Sequence, residues 1–208
     1  MNFPTDAVLY GILDLGYVEE AAAPTMTQHL LDGGVQILQL RAKKLTRDDI
    51  LRLSESIAPL CNAAGVPFIL NDHPDLVKEC GADGVHVGQD DPAVSDVREM
   101  VGPGAIIGLS THSLAQAEAA LACRPDYIGF GPLFATPTKP DYEAIGLADI
   151  AAAHRNVALP IFCIGGIKLE NLPRVLEAGA RRVVIVSGLL QAADPAAYGR
   201  ACRAALGA

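Results

Sequence analysis

The chain has 208 residues, half of them apolar and 19% charged, with a net charge of −8. At roughly 150 residues per domain this length suits one large domain or two small ones, and the apolar content is ample for a core. No run of five like charges occurs, so an acidic or basic tail is excluded, and the negative balance argues against nucleic acid and anionic membrane surfaces as partners.

The first residues, Met1 to Asp6, carry no basic stretch and no long apolar run. No run anywhere approaches the ~18 apolar residues of a membrane span, so a soluble, cytoplasmic protein is expected. Short apolar or β-branched runs then alternate with stretches of helical period. A strand is predicted at Val8–Leu13, a helix near Ala23–Asp32, a Gly33-Gly34 stop, and a strand at Gln36–Leu40. The second strand runs into Gln39-Leu40-Arg41-Ala42-Lys43. Strand alternation puts Gln39, Arg41 and Lys43 on one face, with Leu40 and Ala42 on the other. An Arg and a Lys facing inward make a forked anion clamp beside a point charge; the bland alternative is a solvated strand end.

The next helix is the clearest, Thr46 to Asn62, with Ile50, Leu53, Ile57 and Leu60 on one stripe and Thr46 and Asp49 as a capping pair. A strand at Pro67–Leu70 leads to Asn71-Asp72, a helix follows at Asp75–Cys80, and the strand Gly84–Val87 leads to Gly88-Gln89-Asp90-Asp91. Asp72 and Asp91 are 19 residues apart, one strand–helix unit. Adjacent strands would bring their backbones to about 4.8 Å. Two such carboxylates suit Mg²⁺, which keeps waters and shares itself with phosphate oxygens. Helix capping is the rival role for both, more so for Asp91, which precedes Pro92. His86, inside the fourth strand, reads first as a hydrogen-bonded structural residue and second as a catalyst.

A helix is predicted at Val94–Val101, a strand at Ala105–Leu109, then Ser110-Thr111-His112-Ser113, with Ser113 as cap of a helix at Leu114–Ala122. Ser110 and His112 could face a site, but no acidic residue has the spacing of a hydrolytic triad. The strand Tyr127–Gly129 opens the longest loop, Gly131 to Pro140. It holds Thr136, Pro137, Thr138 and Lys139, groups suited to phosphate oxygens; a rigid connector is the plainer reading. A helix at Leu147–Arg155 and a strand at Ile161–Ile164 lead to Gly165-Gly166-Ile167. A helix at Leu169–Ala178 and a strand at Val183–Val186 lead to Ser187-Gly188, with a final helix at Pro195–Leu206.

Eight such units with near-continuous apolar strands predict a single (β/α)8 TIM barrel spanning residues 1–208; a doubly wound open sheet is the alternative. No GxGxxG follows the first strand, which weakens a dinucleotide-binding version. The five cysteines form no CxxC pair and read as small buried hydrophobes in a reducing compartment, with catalysis or metal binding as the less favoured role. In barrels, sites are built at the C-terminal strand ends, and phosphate often sits after strands 7 and 8. Two anion sites follow: one around Gly165-Gly166 and Ser187, the other around Arg41, Lys43, Lys139 and a metal. Two phosphate-bearing substrates, one carrying a diphosphate leaving group, are the natural inference.

Together these segments resemble the thiamine-phosphate synthase family from about Leu9 to Ser187. The resemblance implies a transferase that joins hydroxymethylpyrimidine diphosphate to thiazole phosphate, giving thiamine phosphate and diphosphate. It implies Mg²⁺ on Asp72 and Asp91. The pyrimidine diphosphate would be bound by Gln39, Leu40, Arg41, Ala42, Lys43, Asn71, Ser110 and Lys139, with Arg41, Lys43, Lys139 and Ser110 acting in catalysis. The thiazole phosphate would be bound by Thr136, Pro137, Thr138, Gly166, Val186 and Ser187. A homodimer is left open. The chain departs from the family at Ala42, where Glu is usual, and at Leu13, where Thr is common. Those departures leave room for a thiazole tautomerase of the same superfamily, with His112 as its acid/base group. A barrel that binds a phosphate ligand without turnover is the third reading.

Overall fold

The structure is a computed structural model and describes residues 3–136 and 143–208. Eight parallel strands close in chain order: β1 (Leu9–Asp14), β2 (Ile37–Arg41), β3 (Phe68–Asn71), β4 (Gly84–Val87), β5 (Ile106–Thr111), β6 (Tyr127–Phe130), β7 (Ile161–Cys163) and β8 (Val183–Ile185). Pairing of β1 with β8 seals the cylinder, which removes the open-sheet alternative. The helices α1 (Ala23–Asp32), α2 (Arg47–Ala64), α3 (Val94–Val101), α4 (Leu114–Cys123), α5 (Ile150–Asn156), α6 (Leu172–Glu177), α7 (Ser187–Leu190) and α8 (Pro195–Ala205) come from the connections.

The period of two sorts the side chains into two cores. Leu9, Leu13, Leu38, Leu40, Phe68, Leu70, Val85, Val87, Ile128 and Phe130 point outward and pack in one cluster with Ile50, Ile57, Val97, Ala117 and Val175 of the helices. Each such fully buried side chain contributes roughly 1.5–3 kcal/mol. Tyr10, Ile12, Ile37, Ile69, Ile106, Tyr127, Phe162 and Val184 point inward and fill the barrel. The residues one step further along each strand in the inward phase are Asp14, Gln39 with Arg41, Asn71, His86, Ser110 and Val186, and they reach the C-terminal mouth. Alternation therefore converts a polar strand end into a site.

Local signals behave as their chemistry requires. Thr46 and Asp49 form a reciprocal capping box at the start of α2, and Gly65 ends it at φ 68°. Ser113 caps α4 by accepting from the Gln116 N–H, and Asp194 caps α8 by accepting from the Ala197 N–H at 2.8 Å.

Most boundaries differ from expectation by one or two residues, α5 begins at Ile150 rather than Leu147, and four other differences are instructive. The helix expected at Asp75–Cys80 is a single 3₁₀ turn, Pro74–Leu76. Hydrogen-bonded turns continue to Gly81, with the Cys80 N–H donating to the Leu76 carbonyl at 2.9 Å, but they do not build a regular helix. β5 continues to Thr111, because Ser110 and Thr111 pair with Gly129 and Phe130 of β6. α6 begins at Leu172 rather than Leu169, since the Asn171 side chain first ties back to the Lys168 N–H at 2.8 Å and Pro173 suits the first turn. The short α7 was not expected; it forms because the Val186 carbonyl accepts from both the Leu189 and Leu190 N–H groups.

Candidate active site

At the ends of β1 and β2, Asp14 lies opposite Arg41 in the strand register. Its carboxylate is 2% exposed as a residue and accepts from the Arg41 guanidinium at 2.7 Å and from the Gly16 N–H at 2.8 Å. A guanidinium held on a buried carboxylate has one fixed direction, toward the mouth. Leu40 and Ala42 are buried on the outer face, so Ala42 supports the helix layer and does not enter the mouth. Leu13 is likewise buried in that outer cluster. Lys43 stands on the rim, its Nζ 3.5 Å from an Asp72 carboxylate oxygen.

Asp72 follows β3 directly. Its backbone has φ 65°, a conformation that β-carbon sterics make uncommon, and its N–H donates to the His86 carbonyl at 2.9 Å. Asp91 lies in the loop after β4, the neighbouring strand, and accepts from the Gly88 N–H at 2.6 Å. Neither caps a helix. Ala93 precedes α3 without a side-chain cap, and His73 precedes the 3₁₀ turn. Among the described residues no three His, Cys, Asp or Glu side chains converge on one point. Two hard carboxylates without a soft donor suit a cation that completes its shell with water and substrate phosphate, as Mg²⁺ does. Asp72 and Asp91 could hold such an ion.

The barrel interior carries a continuous polar file. Gln39 Nε2 donates to the Tyr10 hydroxyl at 2.7 Å, and the Tyr10 and Tyr127 hydroxyls are 2.9 Å apart. The Tyr127 hydroxyl lies 3.1 Å from His86 Nδ1, and His86 Nε2 lies 2.9 Å from Ser110 Oγ. Burial pushes the proton affinity of both phenols up, so they stay neutral wherever the chain is folded. His86 is thus hydrogen-bonded, as the plainer sequence reading has it, yet it also lines the mouth beside Ser110. His112 donates from Nδ1 to the Gly131 carbonyl at 2.6 Å, since a carbonyl can only accept.

Tyr10, Tyr127, His86, Ser110 and His112 line one pocket together with Thr136, Gly165, Gly166, Val186 and Ser187. Gly166 has φ 64°, and a β-carbon on it would meet Phe134 Cβ at 2.7 Å. The loop after β6 therefore folds onto the Gly165-Gly166 turn only because that turn lacks side chains. That packing puts Thr136 on the same wall as Ser187, the first residue of α7. Of the expected site residues, Gln39, Arg41, Lys43, Asn71, Asp72, Ser110, Thr136, Gly166, Val186 and Ser187 lie at the C-terminal mouth, and Asp91 lies in a loop on that side. Pro137, Thr138 and Lys139 lie outside the described residues. Sequence reasoning missed Asp14, Tyr10 and Tyr127. Asp14 was readable, because it is in phase with Tyr10 and Ile12. The phenols carried no such signal, since they sit within apolar runs.

A family model described as thiamine monophosphate synthase matches residues 9–189. The chain is 40% identical over 206 residues to a thiamine-phosphate synthase of Roseiflexus sp. (strain RS-1), covering 98% of this chain and 87% of the relative. It is 46% identical over 178 residues to a thiamine-phosphate synthase of Thermus thermophilus, covering 85% of each. A solved thiamine phosphate pyrophosphorylase from Pyrococcus furiosus superposes with a TM-score of 0.89 at 27% identity, covering 98% of this chain and 96% of that one. A 3-hexulose-6-phosphate synthase, at 20% identity and a TM-score of 0.69, shares the fold alone.

Proposed function

The chain belongs to the thiamine monophosphate synthase family, and from that premise we propose how its barrel mouth joins hydroxymethylpyrimidine diphosphate to thiazole phosphate. One observation carries the residue assignment. Arg41 on the Asp14 carboxylate and Lys43 beside the Asp72 carboxylate stand at the ends of β1, β2 and β3, at the same end of the barrel as the Gly165-Gly166 turn and Ser187. A diphosphate suits the first group and a monophosphate the second.

In this reading Arg41, fixed by Asp14, and Lys43 bind the diphosphate and stabilise the charge that grows on it as the carbon–oxygen bond breaks. Lys139 adds a third positive group. Gln39, Asn71 and Ser110 orient the pyrimidine, while Leu40 and Ala42 contribute backbone and packing. Backbone N–H groups at Gly166 and Ser187, with Val186, Thr136, Pro137 and Thr138, hold the thiazole phosphate so that the thiazole nitrogen faces the pyrimidine-methyl carbon. Diphosphate departs, the cationic carbon is attacked by that nitrogen, and thiamine phosphate forms. No protein nucleophile is needed, which agrees with a sequence in which no acidic residue has the spacing of a hydrolytic triad. Asp72 and Asp91 are the proposed ligands of Mg²⁺, which would neutralise diphosphate charge when bound. The catalytic unit is the one barrel domain, and its free cysteines, four of them buried, suit a reducing cytoplasm.

The test is to mix the chain with both substrates and Mg²⁺ and to measure diphosphate and thiamine phosphate together. Binding of both substrates without product would overturn the reading. The variant Asp72→Ala should lose Mg²⁺-dependent turnover and keep thiazole phosphate binding. Equal loss of both would make Asp72 structural.

A further inference from the structure

We propose that Tyr10 and Tyr127 are positioning residues: with Gln39 they lock His86 in its Nε2–H tautomer, and through it they aim the Ser110 hydroxyl proton into the pocket. The direction follows from counting protons along the file. An amide nitrogen can only donate, so Tyr10 accepts from Gln39 Nε2 at 2.7 Å. A phenol has one proton, and Tyr10 directs it to the Tyr127 oxygen at 2.9 Å. Tyr127 in turn directs its own proton to His86 Nδ1 at 3.1 Å. A neutral imidazole that accepts at Nδ1 carries its proton on Nε2. That proton goes to Ser110 Oγ at 2.9 Å. Ser110, accepting there, keeps its own proton for an acceptor in the pocket.

The fold invests in this file. Both phenols are at most 1% exposed and are wedged against Phe162, with ring centroids 5.5 and 5.7 Å away. Strand β5 lies between His86 and Tyr127, and its facing residue is Gly108. A β-carbon there would fall 2.2 Å from Tyr127 Cζ and 2.4 Å from His86 Nδ1. A missing side chain is what allows the hydroxyl and the imidazole to meet. The Gln39 amide sets the polarity of the whole file. Were its oxygen turned to Tyr10, every proton would run the other way, and Ser110 would donate to His86 and offer the pocket only an acceptor. On the synthase reading, the acceptor served by Ser110 is a ring nitrogen of the pyrimidine.

The test is long-range proton–nitrogen NMR of the ring-labelled full chain at neutral pH, with His86→Asn used only to assign the signal. The expected wild-type spectrum has His86 Nδ1 unprotonated and Nε2 protonated. In Tyr127→Phe the spectrum becomes a mixture of tautomers. The same variant loses on the order of tenfold in kcat, the worth of one net hydrogen bond, while KM for thiazole phosphate holds. A wild-type His86 protonated at Nδ1 overturns the proposal, as does an unchanged tautomer in Tyr127→Phe. The wild-type spectrum decides alone if the variant does not fold. It is read without substrate, so a failed synthase assay leaves it standing, and the two failures are distinguishable.

Discussion

The Asp14–Arg41 pair offers a quantitative handle on the mouth. The two side chains are 3% and 14% exposed and 2.7 Å apart. Replacing Arg41 with Met leaves a carboxylate out of water with the Gly16 N–H at 2.8 Å as its remaining described hydrogen-bond donor. Stranding one partner of a buried pair costs about 3–5 kcal/mol. The converse change, Asp14→Asn, keeps an acceptor and removes the charge, and should cost about 1.5–3 kcal/mol, the worth of a hydrogen bond to a charged group. In the double variant the second change should cost much less than it does alone, with a coupling of about 1.5–3 kcal/mol. Urea unfolding reads this directly: at a slope of roughly 2 kcal/mol per molar, Arg41→Met should lower the midpoint by about 1.5–2.5 M. Costs that add to within about 0.5 kcal/mol, or an Arg41→Met cost under about 1 kcal/mol, would show a solvated pair without structural leverage and would refute the reasoning. Because Asp14 aims Arg41, Asp14→Asn should also raise KM for the diphosphate substrate while leaving that for thiazole phosphate unchanged.

Three further outcomes follow from other parts of the molecule. Thr46→Ala removes the side-chain acceptor of the Asp49 N–H, one half of the capping box on α2, and should cost about 1 kcal/mol in urea unfolding; an unchanged midpoint would show the cap to be idle. A thiol reagent on the native chain should label the exposed Cys123 fast and the other four slowly. Burial pushes Cys61 and Cys163 up to about 12 and Cys202 up to about 11, so several fast thiols would contradict the packing. His154 has its proton affinity lowered by burial first and by Arg181 and Arg182 second. The unfolded chain takes up that proton near pH 6.5, and the folded chain does so only at lower pH. This contribution to stability is therefore complete above about 6.5 and is lost as pH falls. His154→Gln should shrink the drop in urea midpoint between about pH 7.5 and about 5.5; equal drops in both proteins would assign the acid sensitivity elsewhere.

The barrel was legible because its cause is local and repeated. Apolar runs of strand length recur eight times, with helical stripes and frequent glycine stops between them, and parallel strands covered by helices are the packing that buries them. Much of the mouth was legible for the same reason: inward phase at a strand end marks Gln39, Arg41, Asn71 and Ser110 without knowledge of the neighbours. The exceptions were set by contacts between distant strands. Thr111 belongs to β5 only because Phe130 pairs with it, and α7 exists only because the Val186 carbonyl is open to the next turn. Asp14 acquires its role from Arg41, 27 residues away, and Tyr127 acquires its own from Tyr10, 117 residues away, and from His86, 41 residues away. Period and composition act within one element, and the sequence carries them openly. Which hydroxyl meets which imidazole depends on barrel closure and on a β-carbon absent at Gly108, and only the tertiary structure decides that.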